Sequence, residues 1–592
     1  MCSVPVIAEA VQDRLQVAAI DFGTTYSGYA FSFLGDFKED PLKIITNNWL
    51  VSSSSAVSLK TPSCILFDPE GNFHSFGFEA EDKYADLAAD ENHFKWFYFK
   101  RFKMLLYEQK KLTRDIKLKD DKGLTLSAMK VFSEGIRYLK DHLIMTSEEK
   151  GVGLRFEEVH WVLTVPAIWN DSAKQFMREA AIEAGIDTKH LSLALEPEAA
   201  SLFCKYLPVE KVEGNDGESR ISSFAPGKKY LVLDAGGGTV DITVHETQPD
   251  GTIRELYKAN GGPWGGTKID EAFQAFLEDV AGVDTMEIFM KDHKEDYLSL
   301  FREFEIKKKT FGSDLHAGQR ITFRLPVTIH ETYRIARGGD FRRSLMMKQD
   351  LQDQITFTGD KLRVQPRQVE QMFEKTCDKI VSHLKDIFSK PQVSGTEAIL
   401  MVGGFSESMM LQRYIRDNFP GMRIIIPEDA GLAVLKGAVI FGHNPKAIVS
   451  RAAKYTYGIR MYKTFDRNIH PESKKVILDG VEKCDYCFDI HVTEGQEVQI
   501  GEEFGEKSYV PSTRSQTKIA LNVYTSDKTN PLFVDESGCT NIGKLDVDMS
   551  DIEKYEDRNI LVKMKYGDTE LGVEAKIVKT SQILKASLNF LG

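Results

Sequence analysis

Two short segments carry the residue types that grip a phosphate. Asp21-Phe22-Gly23-Thr24-Thr25 and Asp234-Ala235-Gly236-Gly237-Gly238-Thr239 each begin with a carboxylate, pass through glycine and end on a hydroxyl. Glycine lets backbone N–H groups approach an anion with no side chain in the way, and threonine hydroxyls add donors. A carboxylate beside such a turn can hold the hydration shell of Mg²⁺, which keeps several waters in most protein sites. A single Gly-rich segment is most often a plain tight turn, because short glycine motifs recur by chance. Two copies of one order, each Asp-led and Thr-ended, point to phosphate chemistry.

The elements that must position these segments are legible around them. Residues 16–20 and 230–233 are short apolar runs that read as buried strands meeting a turn, and residues 242–244 continue the second as an alternating strand. The repeat of strand, Asp, Gly, Thr and strand implies an internal duplication, two related lobes facing one ligand. Between them, residues 161–165 form a strand stopped by Pro166. A helical period follows over 172–184 and ends at Gly185, then a further strand spans 191–195 and an alanine-containing stretch runs from Ala199. This is α/β organisation. Residues 209–229, charged and rich in Gly and Ser, read as a surface excursion between the lobes. A helical block is expected over 292–311, and a last helix-to-strand unit ending at Gly403-Gly404. Beyond about Ser450 short alternating segments at 498–500, 518–524 and 560–566 predict an all-β module.

Composition bounds the rest. A chain of 592 residues exceeds one ordinary core, and 42% apolar with 28% charged residues is a folded composition. The net charge of −12, with Lys and Arg spread throughout, excludes the basic footprint of a nucleic-acid binder. Residues 1–15 lack a secretory pattern, and no apolar run reaches the roughly 18 residues a membrane span needs. A soluble cytoplasmic protein is expected, compatible with a nuclear pool. Seven scattered cysteines argue against a disulfide framework. Cys484-Asp485-Tyr486-Cys487 is a CxxC pair, but no second pair or nearby His pair completes a tetrahedral set, so ordinary strand or turn cysteines are expected.

Several motifs resemble the nucleotide-binding domain of 70-kDa heat-shock proteins, in that family's order. They are Asp21-Phe22-Gly23-Thr24-Thr25-Tyr26-Ser27, Leu163-Thr164-Val165-Pro166-Ala167 with Asn170-Asp171-Ser172, Glu196-Pro197-Glu198-Ala199-Ala200, Leu233 to Asp241 and Val402-Gly403-Gly404. Residues 261–266, 403–408 and 435–442 place the chain near a divergent branch. The resemblance implies a two-lobed actin-like ATPase of duplicated ribonuclease-H-like lobes over 15–447, lobe I about 15–203 and lobe II about 228–447. A tail over 1–14 precedes it, and a β-sandwich-like domain over 448–592 follows it without a helical lid or an acidic tail.

The resemblance further implies ATP/ADP and Mg²⁺ as ligands. Asp21 and Asp234 would organise the Mg²⁺ waters, while Thr24, Thr25, Gly23, Tyr26 and Gly236, Gly237 and Gly238 would surround the phosphates. Thr239 would sit against the γ-phosphate, with Glu196 and Asp241 orienting the attacking water. Gly265, Gly266, Gly403 and Gly404 would line the nucleotide, and Glu305 and Lys308 would contact ribose or adenine. The early lysine that reaches the γ-phosphate would be Lys103, with Lys100 second. Read on residues alone, the aromatic and cationic run 94–103 is packed aromatics under solvated lysines, a lysine aimed at phosphate, or a surface patch for membrane or single-stranded nucleic acid.

Some positions depart from the pattern. Phe405 replaces a serine and Glu407 an arginine that packs on adenine, the acidic residue expected near Gly431 is absent, Glu198 stands where threonine is usual, and no apolar linker is recognisable over 447–457. Three readings follow: a slow ATP-hydrolysing chaperone of atypical type, a nucleotide-gated scaffold with vestigial hydrolysis, and a sugar or small-molecule kinase. Polypeptide clients or signalling proteins are the implied partners.

Overall fold

An unbroken apolar strand needs cover on both faces, and the strand before each Gly/Thr segment has it. The computed structural model describes residues 14–51, 57–109, 112–207, 224–312, 318–347, 354–501, 503–567, 570–587 and 590–591. The tail expected over 1–14, apart from Arg14, and most of the excursion expected over 209–229 lie outside the described residues.

In the first half, β1 (Gln16–Phe22) is buried along its whole length and turns into β2 (Tyr26–Phe33). With β3 (Ile45–Thr46), β4 (Thr61–Pro62), β5 (Val159–Val165) and β6 (Leu191–Leu195) these form a sheet of order β6-β5-β1-β2-β3, with β4 also on β2. In the second half, β7 (Lys229–Ala235), β8 (Val240–Thr247), β9 (Ile253–Gly262), β10 (Thr396–Val402) and β11 (Arg423–Ile425) run in the order β11-β10-β7-β8-β9. Each sheet starts from an antiparallel hairpin, β1–β2 or β7–β8, and adds two parallel strands on one side and an antiparallel strand on the other. The duplication implied by two short segments thus extends to the order and direction of five strands.

Helices cover these sheets. α1 (Ala128–Glu149) and α2 (Asp171–Glu183) pack on the first sheet, and α2 starts where the Asn170 side chain accepts the Ala173 N–H. α3 (Glu196–Tyr206) opens with Pro197, whose missing N–H costs nothing in the first turn. α4 (Thr267–Ala281), α5 (Lys294–Thr310) and α6 (Pro366–Phe388) bury apolar stripes in a separate core of the second half. α7 (Ala433–His443) packs on α3, and a methyl on Gly437 would stand 1.7 Å from the Ala199 carbonyl. That close crossing joins Ala199, Ala200 and Phe203 to strand residues of both sheets, so the α3–α7 pair is the seam between the halves.

Two boundaries differ from the sequence reading. The helical block begins at Lys294, because residues 283–292 form their own helix and the path turns at His293. The unit ending at Gly404 is not the last, since a helix over Met409–Asn418, β11 and α7 follow it. β11 has only three residues, and α7 is buried nearly all round, so neither carries a periodic stripe.

Past α7 the described residues form strands joined by loops and three short 3-10 turns. β12 (Ile448–Ala452) adds parallel to β9, and β16 (Glu497–Gln499) pairs with β12, so both extend the second sheet. The expected break at 447/448 is therefore a strand pairing that satisfies the edge of β9. The other strands are β13 (Thr456–Thr464), β14 (Lys475–Leu478), β15 (Val481–Val492), β17 (Glu503–Tyr509), β18 (Lys518–Ser526), β19 (Cys539–Asp548), β20 (Ile560–Gly567), β21 (Glu570–Ile577) and β22 (Ile583–Ser587). They make two sheets, β14-β15-β13-β18-β19 and β17-β20-β21-β22, which share one apolar core. No helix of the described residues is long and apolar enough to cross a membrane.

Candidate phosphate and cation site

The two hairpin turns face each other across the halves. A methyl on Gly237 would lie 2.3 Å from Thr25 Oγ1, and one on Gly238 would lie 2.7 Å from Thr24 Oγ1. Only glycine lets the hydroxyls of the first turn approach the backbone of the second this closely. A third segment braces the second turn: Gly265, Gly266 and Thr267 donate their N–H groups to the carbonyls of Gly238, Gly236 and Gly237 at 3.1, 3.1 and 2.8 Å. Gly403, at φ +85°, passes so close to Asp234 that a methyl would stand 2.3 Å from its Oδ1, and Gly404 opens the 3-10 turn that follows.

Four carboxylates gather at these turns. Asp21, Asp234 and Asp241 are buried, and the Glu196 side chain is 13% exposed. Asp21 Oδ2 accepts Lys60 Nζ at 2.6 Å, and its Oδ1 accepts the Thr164 hydroxyl at 2.9 Å. Glu196 Oε1 accepts Lys103 Nζ at 2.7 Å, and the same ammonium lies 5.1 Å over the Trp169 ring. Asp241 accepts the Ile168 N–H at 2.9 Å and the Thr239 hydroxyl at 3.1 Å. Among the described residues no group hydrogen-bonds the Asp234 carboxylate.

Among the described residues these four acids have two ion-paired ammonium groups, Lys60 and Lys103, with the Lys454 charge also acting on Asp241, and their titration reflects it. Burial pushes Glu196 up to about 7 against the pull of Lys103, with Asp21 and Asp241 adding to the rise. Burial also lifts Asp234 well above the ordinary carboxylate range, helped by the charges of Glu196, Asp241 and Asp21. Asp241 is raised by burial, partly offset by its bonds to Ile168 and Thr239. Asp21 moves the other way: Lys60 and Lys103 outweigh its burial and hold it below its usual value. An unpaired buried carboxylate costs several kcal/mol, on the order of what a cation restores. The donor set is all oxygen, which suits a hard divalent ion.

The remaining expected residues lie at one side of this centre. Tyr26 opens β2, and burial followed by the nearby Glu305 carboxylate raises its phenol. Lys308 Nζ donates to Glu305 at 2.6 Å, Asp270 at 2.7 Å and the Gly266 carbonyl at 3.2 Å. All three of its donors are engaged, so contact with a ligand requires exchange. Phe405 is buried in the second core, while Glu407 pairs with Lys309 at 2.7 Å and accepts the Gly431 N–H at 3.2 Å. Lys100 stands apart, paired with Asp121 at 3.3 Å. Tyr98, Phe99 and Phe102 around it are core residues.

Sequence reasoning missed Lys60, which lies 39 positions from Asp21 and is delivered by the pairing of β4 with β2. It also missed Lys454, whose half-buried ammonium donates to the carbonyls of Ile168 and Trp169. No spacing signal marks either one.

A family model described as Hsp70 protein matches residues 17–331. The chain is 35% identical over 630 residues to heat shock 70 kDa protein 12A of Homo sapiens, covering 98% of this chain and 92% of that protein. Heat shock 70 kDa protein 12B of Homo sapiens is 34% identical, with 97% and 91% covered. The 12A protein of Mus musculus is 35% identical, with 98% and 92% covered.

Proposed function

Because this chain belongs to the Hsp70 family, we propose that it holds MgATP between its two halves and hydrolyses it slowly as an atypical chaperone. The observation that carries the reading is the pair of facing Asp/Gly/Thr turns, with Asp234 raised among buried carboxylates and without a hydrogen bond among the described residues.

In this reading the backbone of Gly236 to Gly238 and the hydroxyls of Thr24 and Thr25 hold the phosphates from opposite sides. Gly23 lets the first turn close on the Tyr26 carbonyl, Gly265 lets its segment lie against Gly237, and the Gly266 N–H braces Gly236. Asp21 and Asp234 would hold the waters of Mg²⁺, which when bound would neutralise charge building on the phosphate oxygens. Lys103, already in the centre, supplies a fixed cation toward the terminal phosphate. Glu196 and Asp241 would orient the attacking water, and Thr239 would sit against the γ-phosphate. Phosphoryl transfer asks mainly for positioning and charge neutralisation, and this set supplies both. Glu305 and Lys308 contact the nucleoside once Lys308 exchanges one of its present partners. The two C-terminal sheets around one core support a β-sandwich reading of the part of 448–592 that lies outside the second sheet, as a divergent substrate-binding domain for polypeptides, or for signalling proteins.

One observation favours the scaffold as second reading. Glu198 and Arg451 form a bidentate pair at 2.6 and 2.7 Å that fixes α3 to β12, in place of a free linker. Single-turnover hydrolysis with the full chain, with and without unfolded peptide, separates the cases. The chaperone reading predicts ADP and phosphate from the wild type, and a loss of roughly 10²-fold or more in Asp234→Asn or Thr239→Ala. Tight MgATP binding without turnover leaves the scaffold, and phosphate transferred to a small molecule identifies a kinase.

A further inference from the structure

The CxxC pair has a third donor that sequence spacing did not reveal. One donor atom from each of His470, Cys484 and Cys487 lies within 4.8 Å of the other two, with both cysteines buried. We propose that these three residues bind a soft divalent cation, with Zn²⁺ the best fit, and leave a fourth coordination position open.

The backbone is shaped for this cluster. In a regular strand residues three apart point to opposite faces. Here the pairing runs Met461 with Cys487 and Lys463 with Cys484, so four residues of β15 lie against three of β13. The bulge turns both thiols toward one side. Tyr486, inside it, has φ +62°, a conformation a bulky residue adopts only when its surroundings enforce it. They do: Arg460 pairs with both oxygens of Asp485 at 2.9 and 2.8 Å and stacks 4.1 Å over the Tyr486 ring. The Tyr486 carbonyl also accepts the Val534 N–H at 2.8 Å, and Cys487 bridges Phe533.

His470 comes from the turn between β13 and β14. Its Nδ1 accepts the Asp466 N–H at 2.9 Å, which sets the ring's orientation. Loading exchanges that bond or shifts the tautomer, so the free chain holds the cluster together without closing it. Two thiols, one imidazole and Zn²⁺ form a neutral unit after two thiol protons leave, and a neutral unit tolerates burial. A cavity of about 500 Å³, lined by His470, Cys487, Lys463, Asp489 and Phe533, adjoins the cluster and gives room for a fourth ligand. Three protein ligands with an open position is an arrangement zinc accepts, whereas magnesium and calcium do not take thiolates. A disulfide is the competing fate of a CxxC pair.

The test loads the full reduced chain with Co²⁺ and then Zn²⁺. The proposal predicts a thiolate-to-cobalt absorption band that Zn²⁺ displaces, together with protection of Cys484 and Cys487, but not of Cys539, from alkylation mapped by peptide mass. Cys484→Ser/Cys487→Ser should abolish the band. His470→Ala should weaken affinity roughly tenfold or more while keeping the band, since even outer-shell partners are worth 10–100-fold. If the serine variant misfolds, the alkylation map of the wild type still decides. Equal labelling of both cysteines with and without Zn²⁺, or a Cys484–Cys487 disulfide that persists under mild reductant, overturns the site.

Discussion

Asp234 is where the chemistry of the candidate site is least balanced. Its carboxylate is buried, without a hydrogen bond among the described residues, and surrounded by three other acids. A carboxylate raised in the native state binds a proton that the unfolded chain releases, so stability falls as pH rises between the two values. For Glu196 that window runs from the ordinary glutamate value of 4.5 to about 7. The nucleotide-free chain should therefore lose stability from pH 5 to pH 8, and MgATP should raise the melting temperature more at pH 8 than at pH 5. Thermal melts at both values, with and without MgATP, measure this; an equal increment at both would remove the carboxylate account. At this scale the sequence showed Asp21, Asp234 and the threonines plainly, because each sits beside a glycine turn. It could not show Lys60, whose place depends on a two-residue strand pairing with no pattern of its own.

Strands flanking the turns were legible because they are apolar runs bounded by Asp, Gly or Pro. α7 and β12 were not, since α7 is buried on every face and β12 is an edge pairing chosen by the partner strand. That edge carries the next two predictions. Glu198 and Arg451 are 2% and 9% exposed at their side chains, and removing one partner strands a buried charge. Arg451→Ala should cost about 3–5 kcal/mol in denaturant unfolding, whereas Glu198→Leu/Arg451→Met should cost far less. Beside them, burial and then the Glu198 charge push Glu255 up to about 8, against the opposing pull of Arg451. Native Glu255 keeps its proton where an unfolded Glu has lost it, so its contribution declines as pH rises from about 4.5 to about 8. Glu255→Gln should therefore match the wild type more closely at pH 5 and exceed it in stability at pH 9. A constant difference across pH would contradict this assignment.

For the whole molecule, the halves are joined by the α3–α7 seam and by ion pairs between their outer parts. Arg101 reaches Asp270 at 2.5 Å, and Arg302 reaches Glu81 at 2.6 Å. The C-terminal sheets contact both halves: Tyr457 donates to Asp171 at 3.2 Å and Lys258 pairs with Glu494, while the Phe590 N–H donates to Gln175 at 2.7 Å. Ile168 connects the site to this contact, since its N–H binds Asp241 and its carbonyl binds Lys454. Duplicated lobes could be read from two segments; the attachment of the β module could not, because it rests on pairs more than 200 positions apart. The central claim is that two carboxylates from the two halves hold one MgATP between them. Calorimetric titration of ATP into the nucleotide-stripped full chain, with and without Mg²⁺ and alongside Asp234→Asn, tests it most directly. The account predicts about one saturable site per chain, weakened at least roughly tenfold, or about 1.4 kcal/mol, by chelating Mg²⁺ or by the substitution. Equal ATP affinity with and without Mg²⁺, or in Asp234→Asn and wild type, would contradict it.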